Sequence, residues 1–587
     1  MKKFLLLGVL VLFLFGSLAV YGQDVIYLAT AKEKKYKDTL PELTIKNFKE
    51  SGVRIMYKYK GTVLAPTNAD GDNYFIPHIY GYAHMRDIGS PMLPAKNHHI
   101  AVPAGAALGI EMEDVQFEEH TVDRMVHPVQ APLPDCRNCP NPMFEINRDV
   151  YETNADFPAN VVEILGCDTY MGIPVAVIQV RPVQFNPVTK TMKVYSKIKF
   201  KVIFSGEGCS FSPYGQKNSK HANDMVRSAV LNRSSIPGGL DSSASLDQVR
   251  EGDAKDYIMI VHSDYLAAAE NLAMWKRQMG YSVEIVSQSS WTTTQVDDAL
   301  KTRYNSWTPK PSFFLLFGDQ ADVPAEYPGS QYTDLYYAEM EGTGYKPEMA
   351  YGRIFASSAA EAQLIVDKII NYEKTPPTLS GFYSNTLACA YYQDSNLDSY
   401  ADRRFTHTSE DIRNHMMGQG YGVNRVYVTG SSVDPLYYNN GNYSPANTPI
   451  PEELKRPTFA WDGDAADIIN YIDAGRFLVW HRDHGDVTLW GDPYFTTTHI
   501  DQLNNGDLLP IIMSVNCLTG QFTGATECFC ERFLRRDSGG CVGIFGATNV
   551  SYSGPNDGYA PGIIDAVWPD PQIDPQYGSG GLGDPIP

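Results

Sequence analysis

The sequence predicts an α/β protein, a parallel sheet with helices on both faces, preceded by a β-rich N-terminal part. Three observations carry this reading. From Asp256 onward, short apolar runs alternate with stretches of helical spacing, and such alternation builds parallel sheets covered on both sides. Between about residues 23 and 205 the apolar runs are short, alternating and separated by Pro, Gly and Asn, the punctuation of strands and turns. Residues 206–255 are polar and rich in Ser and Gly, the composition of a linker.

The elements follow in chain order. Lys2 and Lys3 precede the apolar run Phe4 to Phe15, and Val20-Tyr21-Gly22 lies before Gln23, the layout of a secretory signal over residues 1–22. No later segment reaches the roughly 20 continuous apolar residues of a spanning helix. The mature chain is therefore expected to lack a transmembrane segment and to be secreted or held at the cell surface. In the β-rich part, 23–205, "NVVEILG", "PVAVIQVRPVQF" and "MKVYSKIKFKVIF" read as strands. The linker 206–255 contains Arg233, Arg250 and Lys255, and exposed segments of this kind are preferred sites of nicking, so processing is expected there. In 256–587, "DYIMIVH", "YSVEIVS" and "SFFLLFGD" are strands, with "LAAAENLAMWKRQMG", "TTTQVDDALKTRYNSW" and "AAEAQLIVDKIINYEK" as helices between and after them.

Composition excludes some functions. A chain of 587 residues exceeds one hydrophobic core, and domain size suggests about three to five folding units. With 43% hydrophobic and 20% charged residues it is not grossly disordered. The net charge of −20 supplies no basic excess for phosphates, so nucleic acid is not an expected partner. Nine cysteines are too sparse for a disulfide scaffold. Cys136 and Cys139 read as a local disulfide or a non-functional pair rather than half a zinc site, because no second CxxC exists. An odd count leaves at least one thiol free if no intermolecular bond forms.

Two strands end in chemistry. In "LLPIIMSVNCLTGQF" an apolar run delivers Cys517 to a Gly-containing turn, and in "GRFLVWHRDHGDVTLWGDP" another delivers His484. Open α/β sheets bind ligands at such strand ends. A cysteine nucleophile attacks as thiolate, and a neighbouring imidazole raises the thiolate population at neutral pH. The plainer reading of either residue alone is a buried core position; together, on consecutive strands of one sheet, they form a candidate dyad. His481, nearer the strand body, reads as structural.

These residues resemble the gingipain family of secreted cysteine peptidases, in the clan that also holds caspases and legumains. The resemblance rests on "DYIMIVHSDYLAAAENLAMWKRQMGYSVEIV", "FFLLFGDQADVPA", "AYGRIFASSAAEAQLIVDKIINYE" and the stretch from His484 to Phe522, and covers roughly Asp256 to Pro569. The upstream "GSPMLPAKNHHIAVPAG" is similar to that family's β-rich propeptide. The resemblance implies a caspase-like peptidase domain, Cys517 as nucleophile, His484 as general base 33 residues earlier, and an oxyanion hole from the backbone N–H groups of Gly485 and Cys517. It implies a carboxylate that orients the histidine, offered here by Gln393 or Asp394. Asp394 is chosen because only it can stabilise an imidazolium by charge. It also implies a first specificity pocket walled by Tyr552, with Asp557 expected on a solvated turn and Phe405 replacing an acidic residue, hence a pocket that is not strictly Arg-specific. Measured against that family, the peptidase part is expected to be C-terminally incomplete.

No cofactor is required for this chemistry. Acid-rich loops of such peptidases carry structural calcium, and "DSNLDSYAD" offers Asp394, Asp398 and Asp402; without a complete calcium-loop signature a solvated loop is the simpler reading. The function expected is a cysteine endopeptidase zymogen acting on proteins or peptides. Two alternatives are a sortase-like transpeptidase of the same family and a catalytically silent surface-binding scaffold.

Overall fold

The computed structural model describes residues 24–29, 40–48, 51–136, 140, 142–206, 208, 219–236, 253–329, 331–341, 346–440 and 447–569. The expected signal peptide and Cys139 lie outside them. The N-terminal part is β-rich, as its alternating pattern requires. Its long strand Thr191–Ser205 pairs antiparallel with Gly52–Lys58 and with Ala107–Thr121. Alternate residues Met192, Val194, Ile198, Phe200 and Val202 are buried in a core shared with Val53, Ile55, Ala176 and Ile178.

The expected linker differs in part. Lys220–Ala229 is a helix whose N-cap, Ser219, accepts from the Ala222 amide. Ala222, Val226 and Val230, four apart and so on one face, bury against Ile173 and Val175 of the N-terminal sheet. Asn232 then clamps the backbone of Ala101 through both its amide oxygen and its amide nitrogen. The polar composition hid an amphipathic helix with a three-residue apolar stripe.

The remainder is built on two parallel sheets. The first has the order β2-β1-β3-β4, from Val283–Gln288 (β2), Tyr257–His262 (β1), Phe313–Phe317 (β3) and Ala350–Ile354 (β4). The second has the order β6-β5-β7-β8-β9, from Gly422–Val428 (β6), Asn385–Tyr391 (β5), Leu478–Arg482 (β7), Ile511–Val515 (β8) and Gly543–Gly546 (β9). Helices cover both faces. On the first sheet, Met259, Val261, Leu315 and Phe317 meet α1 (Leu266–Gln278) and α3 (Ala359–Lys374). Their neighbours Ile258, Ile260, Phe314 and Leu316 meet α2 (Thr293–Ser306). On the second sheet, Ala388, Trp480 and Met513 pack against α4 (Phe405–Gly418) and α7 (Ser553–Val567). Cys389, Val479 and Ile512 face α5 (Ala465–Asp473) and α6 (Phe529–Arg535). Strands buried on both faces explain why "RFLVWH" and "LPIIMSV" are nearly continuous apolar runs. Among the described residues no helix is long and apolar enough to cross a membrane.

Candidate active site

Register places the two chemical residues side by side. β7 and β8 pair in parallel, with Arg482 opposite Val515; His484 and Cys517 each lie two residues past that pair, at the C-terminal edge. The turn after the sulfur is strained. Leu518 has φ 62°, a region a branched side chain enters only when its surroundings force it. Gly485 is pressed so closely against this turn that an added Cβ would come within 2.7 Å of both the Asn516 side chain and the Cys517 carbonyl oxygen. Only glycine fits there.

A buried hydrogen-bond network ties the strand ends together. Trp490 Nε1 donates to Ser514 Oγ at 2.8 Å, and Ser514 and Thr519 both reach Asn516 Oδ1. Asn516 Nδ2 donates to His481 Nδ1 at 2.8 Å. His481 stacks on Trp490 with ring centroids 4.4 Å apart, and burial pushes its pKa down to about 3. It stays neutral and holds β7 to the Cys517 turn, the structural role its position suggested.

His484 is oriented by Gln393, whose Oε1 lies 2.9 Å from Nε2. A carbonyl oxygen there accepts from Nε2–H and leaves Nδ1 as the lone-pair nitrogen; Nδ1 makes no hydrogen bond among the described residues. The expectation for Asp394 is corrected. Its carboxylate turns into its own loop and accepts the backbone N–H groups of Asp398 and Ser399 at 3.2 and 2.9 Å, so charge was the wrong criterion and reach the right one. Asp398 and Asp402 likewise accept from Tyr400 and Ser395 amides within this loop. Among the described residues no group of three or more His, Cys, Asp or Glu side chains gathers to hold a metal ion.

The Cys517 sulfur is buried and contacts Ser551, accepting from its amide at 3.2 Å. Burial pushes the thiol up to about 11, opposed by the Ser551 backbone hydrogen bond. The other described free cysteines, Cys389, Cys528, Cys530 and Cys541, are buried as well, and burial raises them further, Cys541 to about 12. Cys136 and Cys167 are each in a disulfide.

Two of the three expected pocket residues, Phe405 and Asp557, are placed differently. Phe405 is fully buried at the start of α4, its ring edge-on to His484 at 5.1 Å and beneath the Arg482 guanidinium at 4.6 Å; it is a spacer between those two, not an apolar pocket floor. Asp557 is not on a solvated turn. "SGPNDG" read as a turn, yet α7 starts at Ser553 with Pro555 in its first turn, where proline is tolerated. Asp557, one turn in, is thus buried against Arg482 Nη2 at 2.9 Å and Thr408 Oγ1 at 2.8 Å. Tyr552 is 43% exposed, and its backbone borders the cleft.

What it borders is the N-terminal domain. Leu133 to Cys136 runs through the cleft as an extended strand. Pro134 bridges Tyr552 antiparallel and Cys136 bridges Gly485. The Asp135 amide donates to the Ser551 carbonyl at 2.9 Å, and the Ser553 amide donates to the Leu133 carbonyl at 2.7 Å. The Asp135 carboxylate is completely buried. It accepts from Arg482 Nη1 and Asn556 Nδ2, each at 2.7 Å, and from Ser553 Oγ. Burial lowers the His484 pKa while the Asp135 charge and backbone favour its imidazolium. Sequence reasoning missed Asp135, Arg482, Ser551, Ser553 and Asn556. Only Arg482, a cation closing an apolar strand two residues before His484, carried a local signal.

Comparison with known proteins decides the family. A family model, Peptidase family C25, matches residues 250–583, and a second, Propeptide_C25, matches residues 35–236. The chain belongs to peptidase family C25. It is 24% identical over 510 residues to Gingipain R2 of Porphyromonas gingivalis, covering 85% of this chain and 62% of that protein. To Lys-gingipain W83 of the same organism it is 24% identical over 528 residues, covering 85% and 27%. The chain thus spans less than two thirds of the length of these relatives. The crystal structure of the Arg specific cysteine proteinase gingipain R aligns with a TM-score of 0.44 at 24% identity, over 54% of this chain and 67% of that one.

Proposed function

We propose that this C25 chain is the zymogen of an exported cysteine endopeptidase, with Cys517 as nucleophile and His484 as its base. The observation that carries the reading is the strand Leu133–Cys136. It pairs with Ser551–Ser553 as a peptide substrate would, and passes beside Cys517 and His484. In the reaction the Cys517 sulfur bonds to the substrate carbonyl carbon as its proton passes to His484. The C–N bond then breaks as His484 returns that proton to the leaving amine. Water, deprotonated by His484, splits the thioester and restores the thiol with release of a carboxylic acid. The backbone N–H groups of Gly485 and Cys517 stabilise the oxyanion of each tetrahedral intermediate.

Latency is the second half of the proposal. The cleft is occupied, and the N-terminal part is held to the peptidase part by Thr169 donating to Glu348 at 2.7 Å and by Lys346 paired with Asp168 at 3.1 Å. Nicking within 237–252 converts an intramolecular block into one that dissociates on dilution. The test is hydrolysis of a peptide library by intact and nicked chain: turnover should appear on nicking and vanish in Cys517→Ala. Equal turnover by both forms would overturn the latency, and turnover by Cys517→Ala would overturn the nucleophile.

A further inference from the structure

We infer that the first specificity pocket of this peptidase selects an acidic residue, aspartate above all, at the position whose carbonyl Cys517 attacks. The inference rests on the peptidase reading above and adds the substrate class. Asp135 occupies that position: its amide pairs with Ser551, the Leu133 carbonyl two residues earlier with Ser553, and the following residue, Cys136, lies at Gly485 beyond the dyad. The Asp135 side chain fills a pocket whose polar atoms that reach it are all donors. Arg482 Nη1 and Asn556 Nδ2 meet Oδ2, and Ser553 Oγ meets Oδ1.

The charge of the pocket agrees. Among the described residues, the carboxylates Asp557 and Asp483 both interact with the Asp135 charge. Asp557 is bonded to Arg482 through both Nε and Nη2 and is also within the field of Arg404. Asp483 is fully buried, burial pushes its carboxyl well above the usual carboxylate range, and its Oδ2 accepts from the Asp492 amide. Asp557 Oδ1 therefore fixes the Arg482 guanidinium, its Oδ2 makes no hydrogen bond among the described residues, and it is Arg482 Nη1, not Asp557, that meets the Asp135 carboxylate. A basic residue would have to insert its cation against Arg482.

Size and hydrogen bonding narrow the choice. Arg482 and Ser553 are about 1% exposed and Asn556 8%, so the pocket is closed around a two-carbon acid. One further methylene, as in glutamate, costs on the order of 10- to 200-fold in such a site. Asparagine keeps one oxygen for Arg482 and Asn556 and can turn its N–H₂ to Ser553 Oγ, which also accepts, so its disadvantage is the lost charge opposite Arg482.

The experiment uses the full chain nicked within 237–252, with fluorogenic tetrapeptides that differ only in a terminal Asp, Glu, Asn, Leu, Lys or Arg. The expected result is kcat/KM for Asp at least about 100-fold above Asn, Lys and Arg. Arg482→Gln should erase the Asp preference mainly through KM, and Ser553→Ala, a smaller change in the same pocket, should lower it about 10-fold. Better cleavage after Lys, Arg or Leu, abolished by Cys517→Ala, would overturn the aspartate assignment while leaving the peptidase reading intact. No cleavage of any member, with Cys517 alkylated no faster than Cys541, would overturn both.

Discussion

Replacing Asp135 with Ala should unlock the cleft without any cut in the chain. The side chain loses three buried acceptor contacts, and Arg482, Asn556 and Ser553 are left with donors aimed at an empty pocket. Breaking a buried charge pair by removing one partner costs about 3–5 kcal/mol. At about 1.4 kcal/mol per decade this shifts the open-to-closed ratio by roughly 10² to 10^3.5. The strand is loosened rather than expelled. Its backbone bonds to Ser551 and Ser553 remain, each worth about 1 kcal/mol net, as do the Thr169–Glu348 and Lys346–Asp168 contacts. A second effect adds in the same direction: burial and the Asp135 charge both raise the Cys517 pKa, so opening increases its thiolate fraction. Brief iodoacetamide treatment of the intact chain, with peptide mapping, reads this out independently of substrate preference. Cys517 should be alkylated about 100-fold faster in Asp135→Ala than in the parent chain, with Cys541 unchanged as internal reference. Equal Cys517 rates in the two chains would refute the claim that this carboxylate anchors the block.

Further outcomes follow from the same contacts. Gln393→Ala should lower kcat of the nicked chain roughly 10- to 100-fold, short of the loss of the base itself at about 10²–10⁴, with KM little changed. Gln393→Glu should restore part of it and shift the pH profile, because a carboxylate on Nε2–H raises the imidazole pKa. Burial pushes the Glu348 carboxyl up to about 8 from 4.5. The folded chain then keeps a proton that the unfolded chain releases, and stability, full below pH 4.5, falls toward pH 8 by about 1.4 kcal/mol per unit. The thermal midpoint should fall across that window, and Glu348→Gln should flatten the fall; an unchanged slope would contradict it. Phe405→Ala should raise KM and lower kcat together, since both His484 and Arg482 rest on that ring.

Local signals account for what the sequence made legible. Apolar runs that end in Cys517 and His484 reported strands buried on both faces, and equal strand ends put the two residues at one edge. The failures are positions set by distant contacts or by competing local readings. Asp394 and Gln393 are adjacent, and only the path of the loop after β5 decides which reaches His484. Asp557 sits among Gly554, Pro555 and Gly558, residues that speak for a turn, yet the burial of Arg482 beneath it fixes a helix there. Asp135 lies 347 residues from Arg482 in a loop of the other domain, and nothing around "LPDC" marks it as a pocket ligand. The helix at Lys220–Ala229 was masked by its polar surroundings, its apolar stripe being only three residues long.

The proposed role of Cys517 as nucleophile is tested most directly by peptide-library hydrolysis with the nicked Cys517→Ala chain beside the nicked parent, with circular dichroism of both. Turnover should fall to background with an unchanged spectrum, because the thiol is small and its replacement leaves the Asn516–His481–Ser514 network intact. Turnover that survives in Cys517→Ala at the parent's rate would contradict that role.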